Sequence, residues 1–333
     1  MGNNKKRIEY IDYARGIAML LVILGHCFQS VEYTLNHFIL SFHMPLFFFL
    51  SGIFAKSAKD MKSVMGGVKS KAQSLLIPQV LLCVIGGLKP TIIAMLHHSS
   101  LNILDTFGFF NWWFLPTLFM CIVFYMLIGI IVDINKISNK IIYMICLLLL
   151  IWVSIQSNQY NETKGFFRCL QIVPAASFFY VMGSMMRAHI EKFERKKSLL
   201  TSILTVSAFC ICFVIANINT PVLFYMNDYG NLALFFMSSI LGCFSIIYFS
   251  TFIKEAELLK YIGKYCVVFY VWQFIITSLC VSVSARIVTL IPNIANVNIQ
   301  TMFAFAITLP ILYFVVKFNI RYCPYLYGLN KLK

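Results

Sequence analysis

The sequence predicts an all-α protein, a polytopic transmembrane helical bundle of about ten helices with both termini cytoplasmic. Three observations carry that prediction. Of the 333 residues, 60% are hydrophobic and 12% charged, where soluble domains average about half and about a quarter. The mean hydropathy of +0.82 implies more apolar surface than one core can hold, so much of it faces lipid. The basic residues, finally, crowd into alternate connections between the apolar runs.

At roughly 20 residues per crossing of a 30 Å hydrocarbon core, spans are expected at about 11–31, 37–56, 73–96, 112–132, 140–157, 168–187, 199–217, 231–252, 265–284 and 300–320. The first is long and has no small-x-small cleavage site, which makes it a retained helix and not a removable signal. The second is short and contains Pro45, and the ninth is rich in Ser and Thr. With the N-terminus inside, 23 of the 27 Lys and Arg residues lie on inner connections, and Lys89, Lys164, Arg168 and Arg286 remain outside. That bias fixes the orientation. The net charge of +15 is then a topology signal and not a nucleic-acid footprint.

No connection is long enough for a separate domain, so residues 1–333 read as a single integral-membrane domain. The 11 cysteines lie almost entirely in apolar runs, where they behave as small hydrophobes. No CxxC or Cys/His spacing points to a disulfide framework or a metal. The adjacent His97 and His98 have no third ligand in sight.

The stretch RGIAMLLVILGH places Arg15 and His26 eleven positions apart. On a helix that leaves them about 20° from eclipsed and about 16 Å apart along the axis. Arg15 is expected near the inner interface, with Asp12 three residues earlier as a pairing partner, and His26 deep in the bilayer. Arg15 could simply snorkel to headgroups, and His26 could simply bond a carbonyl. Ionisable residues at that depth, however, usually face a cavity or a partner. In HFILSFHMPLFFFLSG, His43 lies as far after the intervening turn as His26 lies before it, so an antiparallel pair would bring the two to one level. His43 then orients His26, contacts substrate, or satisfies a carbonyl freed by Pro45.

At these residues the sequence resembles the acyltransferase-3 family of integral-membrane acyltransferases, in its fucose 4-O-acetylase-like branch. The carrying motifs are RIEYIDYARGIAMLLVILGH (7–26), SFHMPLFFFLSGIFAK (41–56), KSKAQSLLIPQ (69–79), WWFLPTLF (112–119), FFYVMGSMMR (178–187) and YIGKYCVVFYVWQF (261–274). The resemblance implies a donor acyl-CoA, usually acetyl-CoA, arriving from the cytoplasm, and a hydroxyl acceptor on a cell-envelope glycan or lipid-linked glycan. It implies that His26 acts at the reacting hydroxyl and that Arg15 helps hold the donor. A neutral imidazole suits proton abstraction, and a guanidinium suits phosphates.

Two positions depart from the family pattern. Lys69 and Lys71 stand where arginines are usual, giving point charges without the bidentate fork; plain positive-inside charge also explains them. Gln273 stands where many relatives carry a histidine, so it binds a sugar without acting as a base. Trp112 and Trp113, with Asn111 and Asp105, are expected at the outer interface, either stacking on sugar or forming an aromatic belt. Ser51-Gly52 reads as close helix packing, and no Gly-x-Ser-x-Gly elbow is present. Glu162, Arg168, Asp228 and Arg286 read as loop charges. The candidate site is therefore His26 and Arg15 as catalytic residues, with His43, Asp12, Lys71, Trp113 and Gln273 at substrate, membrane lipid around them, and neither metal nor nucleic acid required. The alternatives are a multi-helix transporter or flippase for a glycan or lipid, which should show two matching broken-helix halves, and a non-catalytic scaffold.

Overall fold

The computed structural model describes residues 8–97, 100, 102–160, 165–187, 189, 198–289 and 297–329. His98, Glu162 and Lys164 lie outside the described residues, as do the side chains of Lys89 and Asp105. Among the described residues ten helices are long and apolar enough to cross a membrane, one at each expected span. The chain is a multi-pass membrane protein.

Helix α1 (Glu9–Cys27) is followed by an antiparallel α2 (Thr34–Gly52). Helix α3 (Met61–Lys71) continues through a π-helical segment (Ala72–Leu76) into α4 (Ile77–Leu96). A short α5 (Ile103–Phe107) leads to α6 (Phe114–Ile131), then α7 (Ile137–Tyr160), α8 (Gly165–Met186), α9 (Leu199–Ile218) and α10 (Leu232–Ser250). The amphipathic α11 (Glu257–Lys264) precedes α12 (Cys266–Thr289) and α13 (Val297–Tyr322). A 3₁₀ turn (Pro324–Tyr327) follows.

Helix α2 is the most deeply buried of the spans, while α7 and α9 stay at the periphery with largely exposed apolar faces. Small residues let α2 sit that deep. A Cβ on Gly52 would fall on the Tyr180 carbonyl of α8, and one on Gly183 of α8 would fall on the Phe49 carbonyl. The two backbones therefore touch, as the Ser51-Gly52 reading expected, and only glycine fits. Pro45 lies inside α2 and leaves the Ser41 carbonyl without its i+4 donor. Ser239 of α10 supplies the replacement, donating its Oγ–H to Ser41 at 2.6 Å. His43 takes the Ile39 carbonyl instead, so the expectation that it repairs the proline defect is corrected.

Several helix limits differ from the hydropathy reading, two of them with a visible cause. The first span ends at Cys27 and not near 31; the polar stretch after it turns, with the Asn36 side chain donating to the Ser30 carbonyl at 3.0 Å. The third begins at Met61 and not near 73, because Asp60 caps it by accepting from the Ser63 amide at 2.7 Å. Pro78 then offers no N–H to Ser74, and the helix widens to π geometry just ahead of it.

Candidate active site

The site is built on α1. At its start, α11 crosses it with backbones in contact: a Cβ on Gly263 would fall on the Asp12 carbonyl, and one on Gly16 on that of Leu259. Lys260 donates to Glu9 at 2.6 Å and holds the crossing shut. Arg15, one turn after the buried Asp12, stands 3.8 Å from its carboxylate, as the i,i+3 spacing expected. Its guanidinium also lies 4.9 Å from the ring centroid of Phe54, just past α2.

Arg15 opens into a cavity of about 750 Å³, within the range of small-molecule sites. Lys56, Lys71 and Lys264 join Arg15 in its lining, along with Ser51, Ser57, Ser63, Ser70 and Ser74, and among the described residues no carboxylate lines it. Lys69 is exposed and outside the lining. The walls turn apolar inward, through Leu115 and Leu118 to Phe47, Phe114 and Tyr270. The Phe114 ring meets Phe47 at 5.6 Å and Tyr270 at 5.2 Å. Those rings close the deep end, and Phe47 is one helical turn below His43.

The histidines come next. Eleven residues separate Arg15 from His26, and eleven separate Phe54, which Arg15 touches, from His43. Both imidazoles therefore stand about 16 Å above the Arg15 layer. His43 is buried, and its Nδ1–H donates to the Ile39 carbonyl at 2.7 Å; a carbonyl can only accept, so in the neutral ring Nε2 is left as a lone-pair acceptor. His26, in the last turn of α1, is exposed. Phe274 meets it edge-on at 6.3 Å, and Trp112 meets Phe274 at 4.4 Å.

Trp112 is the second ring in this chain, after Phe274, and it is not at the rim. Its ring packs on Gly86 in the middle of α4, and the buried Gln79 holds its segment by donating to the Trp112 carbonyl at 3.0 Å and to that of Phe109. Trp113 stacks on Phe224 at 5.6 Å. Gln273 is buried outside the cavity lining, and its Oε1 has no hydrogen-bond partner. The structure thus places Arg15 and Lys71 in the cavity lining with Asp12 beside Arg15, and sets His26 and His43 at one level, while Trp113 and Gln273 lie outside that lining. Lys56, Lys264, Gln79 and Phe274 are residues that the sequence did not single out, while Trp112 was singled out for the outer interface. Among the described residues no group of three or more His, Cys, Asp or Glu side chains is placed to hold a metal.

The described residues thus form a ten-span membrane bundle with a basic-mouthed cavity of small-molecule size at one end. The chain belongs to the acyltransferase-3 family: the family described as "Acyltransferase domain" matches residues 8–317. It is similar to the nodulation protein NolL of Mesorhizobium japonicum, with 33% identity over 153 residues, 42% of this chain and 40% of that protein. It is similar also to nodulation protein NolL of Sinorhizobium fredii, with 37% identity over 91 residues, 25% of each chain. The matched regions span less than half the length of these relatives. No solved structure matches the chain.

Proposed function

We propose that the protein is a membrane O-acyltransferase that moves an acetyl or other short acyl group from acyl-CoA to a hydroxyl of a cell-envelope carbohydrate, in the manner of the fucose 4-O-acetylase-like branch. The observation that carries this reading is the cavity: four cations and no carboxylate among its described lining residues, and walls that turn apolar toward Phe47, one helical turn from His43. The phosphates of coenzyme A sit among Arg15, Lys56, Lys71 and Lys264, and the slender thioester arm follows the apolar walls. Membership of the acyltransferase family supports the same reaction class. The basic end is the cytoplasmic one, where acyl-CoA resides.

In the reaction, His26 takes the proton of the attacking hydroxyl as the oxygen bonds to the thioester carbonyl carbon. The tetrahedral intermediate collapses with cleavage of the C–S bond, and the leaving thiolate recovers the proton from the imidazolium. His43 acts through its free Nε2 to orient the reacting group, and Asp12 holds Arg15 in place. Phe47, Phe114 and Tyr270 must part to let the thioester pass. Membranes containing the wild-type chain, given acetyl-labelled acetyl-CoA, should transfer label to envelope glycan. His26→Ala should lower that transfer by at least about 100-fold with an unchanged melting profile. Wild-type transfer by His26→Ala removes the base assignment, and label that crosses the membrane still attached to coenzyme A indicates transport.

A further inference from the structure

At the end of the bundle opposite the basic mouth, a second pocket of about 130 Å³ is lined by Phe110, Asn111, Trp113, Gly165, Arg168 and Tyr225. At about 30 Å³ per liquid water, that is room for roughly four waters, so it suits one ring or one polar substituent and not a whole coenzyme. Its walls are fixed. The Trp113 ring is stacked on Phe224, and the Cys169 thiol lies 3.8 Å from the Phe110 carbonyl and 3.9 Å from that of Trp113, tying α8 to the segment before α6. Gly165, at φ +63°, turns the chain into α8 without a side chain to fill the space. Trp113 adjoins Trp112, whose ring leads through Phe274 to His26.

The chemistry of the lining is specific. Indole and phenol rings offer flat apolar faces with polar edges, and an amide adds paired donors and acceptor. Among the described residues Arg168 is the one charged residue in the lining, and no carboxylate is among them. A guanidinium has five donors in a fork that matches carboxylate and phosphate, so a contact within the protein leaves others for a ligand. The first turn of α8 adds partial positive charge at the same place.

We infer that this pocket is a saccharide subsite for an anionic sugar, one bearing a carboxylate or a phosphate, with Arg168 reading the charge. The inference rests on the acyltransferase reading, in which this sugar is part of the acceptor, next to the unit whose hydroxyl reaches His26.

The test uses the purified full-length chain in nanodiscs and saturation-transfer NMR with glucuronic acid, glucose 1-phosphate and glucose, and no donor present. Binding of either anionic sugar at least tenfold tighter than glucose is the expected result; the tighter of the two tells carboxylate from phosphate. Arg168→Gln should erase the preference, and Tyr225→Ala, at an exposed position, should weaken every sugar severalfold. If Arg168→Gln does not fold, Arg168→Lys takes its place, with a severalfold loss expected from the missing fork. Equal binding of glucose and both anionic sugars, or unchanged affinity in the arginine variant, overturns the subsite. A thermal shift with coenzyme A runs in parallel. No sugar binding by a chain that coenzyme A stabilises overturns the subsite alone; charge-selective sugar binding without any coenzyme A shift keeps it and removes the acyltransferase reading.

Discussion

His43 combines an observed structural bond with the orienting role proposed for it. Its Nδ1–H is committed to the Ile39 carbonyl, a hydrogen bond that a buried acceptor needs and whose loss costs about 1–3 kcal/mol. His43→Asn separates the two duties, since the asparagine amide can donate to the same carbonyl but reaches no further. The variant should melt like wild type and lose acyl transfer about tenfold or more; full transfer would confine His43 to its structural bond. His26, His43 and the Arg15–Asp12 pair were legible because helical periodicity and a single turn place them. The bond from Gln79 to the Trp112 carbonyl was not, because it spans 33 residues and lies beyond helical arithmetic. The available signal was an amide directly after IP inside an apolar run, where an unpaired polar group is costly.

At the scale of elements, the continuous α3–π–α4 helix decides the shape of the basic mouth. Hydropathy reports only its apolar half, because α3 is a polar helix with Lys62, Lys69 and Lys71, yet Ser63, Gly66, Gly67, Ser70 and Lys71 of α3 all line the cavity. Its start depends on Asp60. The Ser63 hydroxyl and amide hydrogen-bond the ionised carboxyl and hold it below the usual carboxylate range. A depressed acid stabilises the fold above its unfolded value of about 3.9 and loses that contribution as pH falls through the folded value. Acidification through that window should therefore fray the first turn, read as faster amide exchange over Met61–Val64, with weaker coenzyme A binding alongside. Asp60→Ala should show the fraying at neutral pH, and Asp60→Asn, which still caps, should remove the pH dependence. An exchange profile indifferent to pH in wild type would detach the cap from the mouth. Crossings such as Gly52 on Gly183 were half legible: each glycine stands out in its own run, but only the fold says which run it meets.

The whole molecule is polarised by charge. Arg15, Lys56, Lys71 and Lys264 converge at one end, where Arg187 also donates to the Ala55 carbonyl at 2.7 Å. Arg168 in the first turn of α8 and Arg286 in the last turn of α12 lie at the other. The same asymmetry serves two purposes. Under the proposed acyl-CoA reading it orients the chain by the positive-inside rule and focuses positive potential on the cavity, which makes the insertion signal and the proposed donor site one set of side chains. Two consequences follow for vesicles, because acyl-CoA is too polar to cross a bilayer unaided. Inside-out vesicles given external labelled acetyl-CoA should transfer label, and right-side-out vesicles should not until they are permeabilised; the opposite pattern would invert the orientation. In the active vesicles, salt should act on donor capture. The Debye length shrinks from about 10 Å at 0.1 M to about 3 Å at 1 M, so KM for acetyl-CoA should rise with ionic strength while kcat holds. Lys56→Gln and Lys264→Gln should each raise KM and flatten that salt dependence, the pattern of lost ground-state binding. A fall in kcat at constant KM would instead place these lysines in the chemistry and not in the mouth.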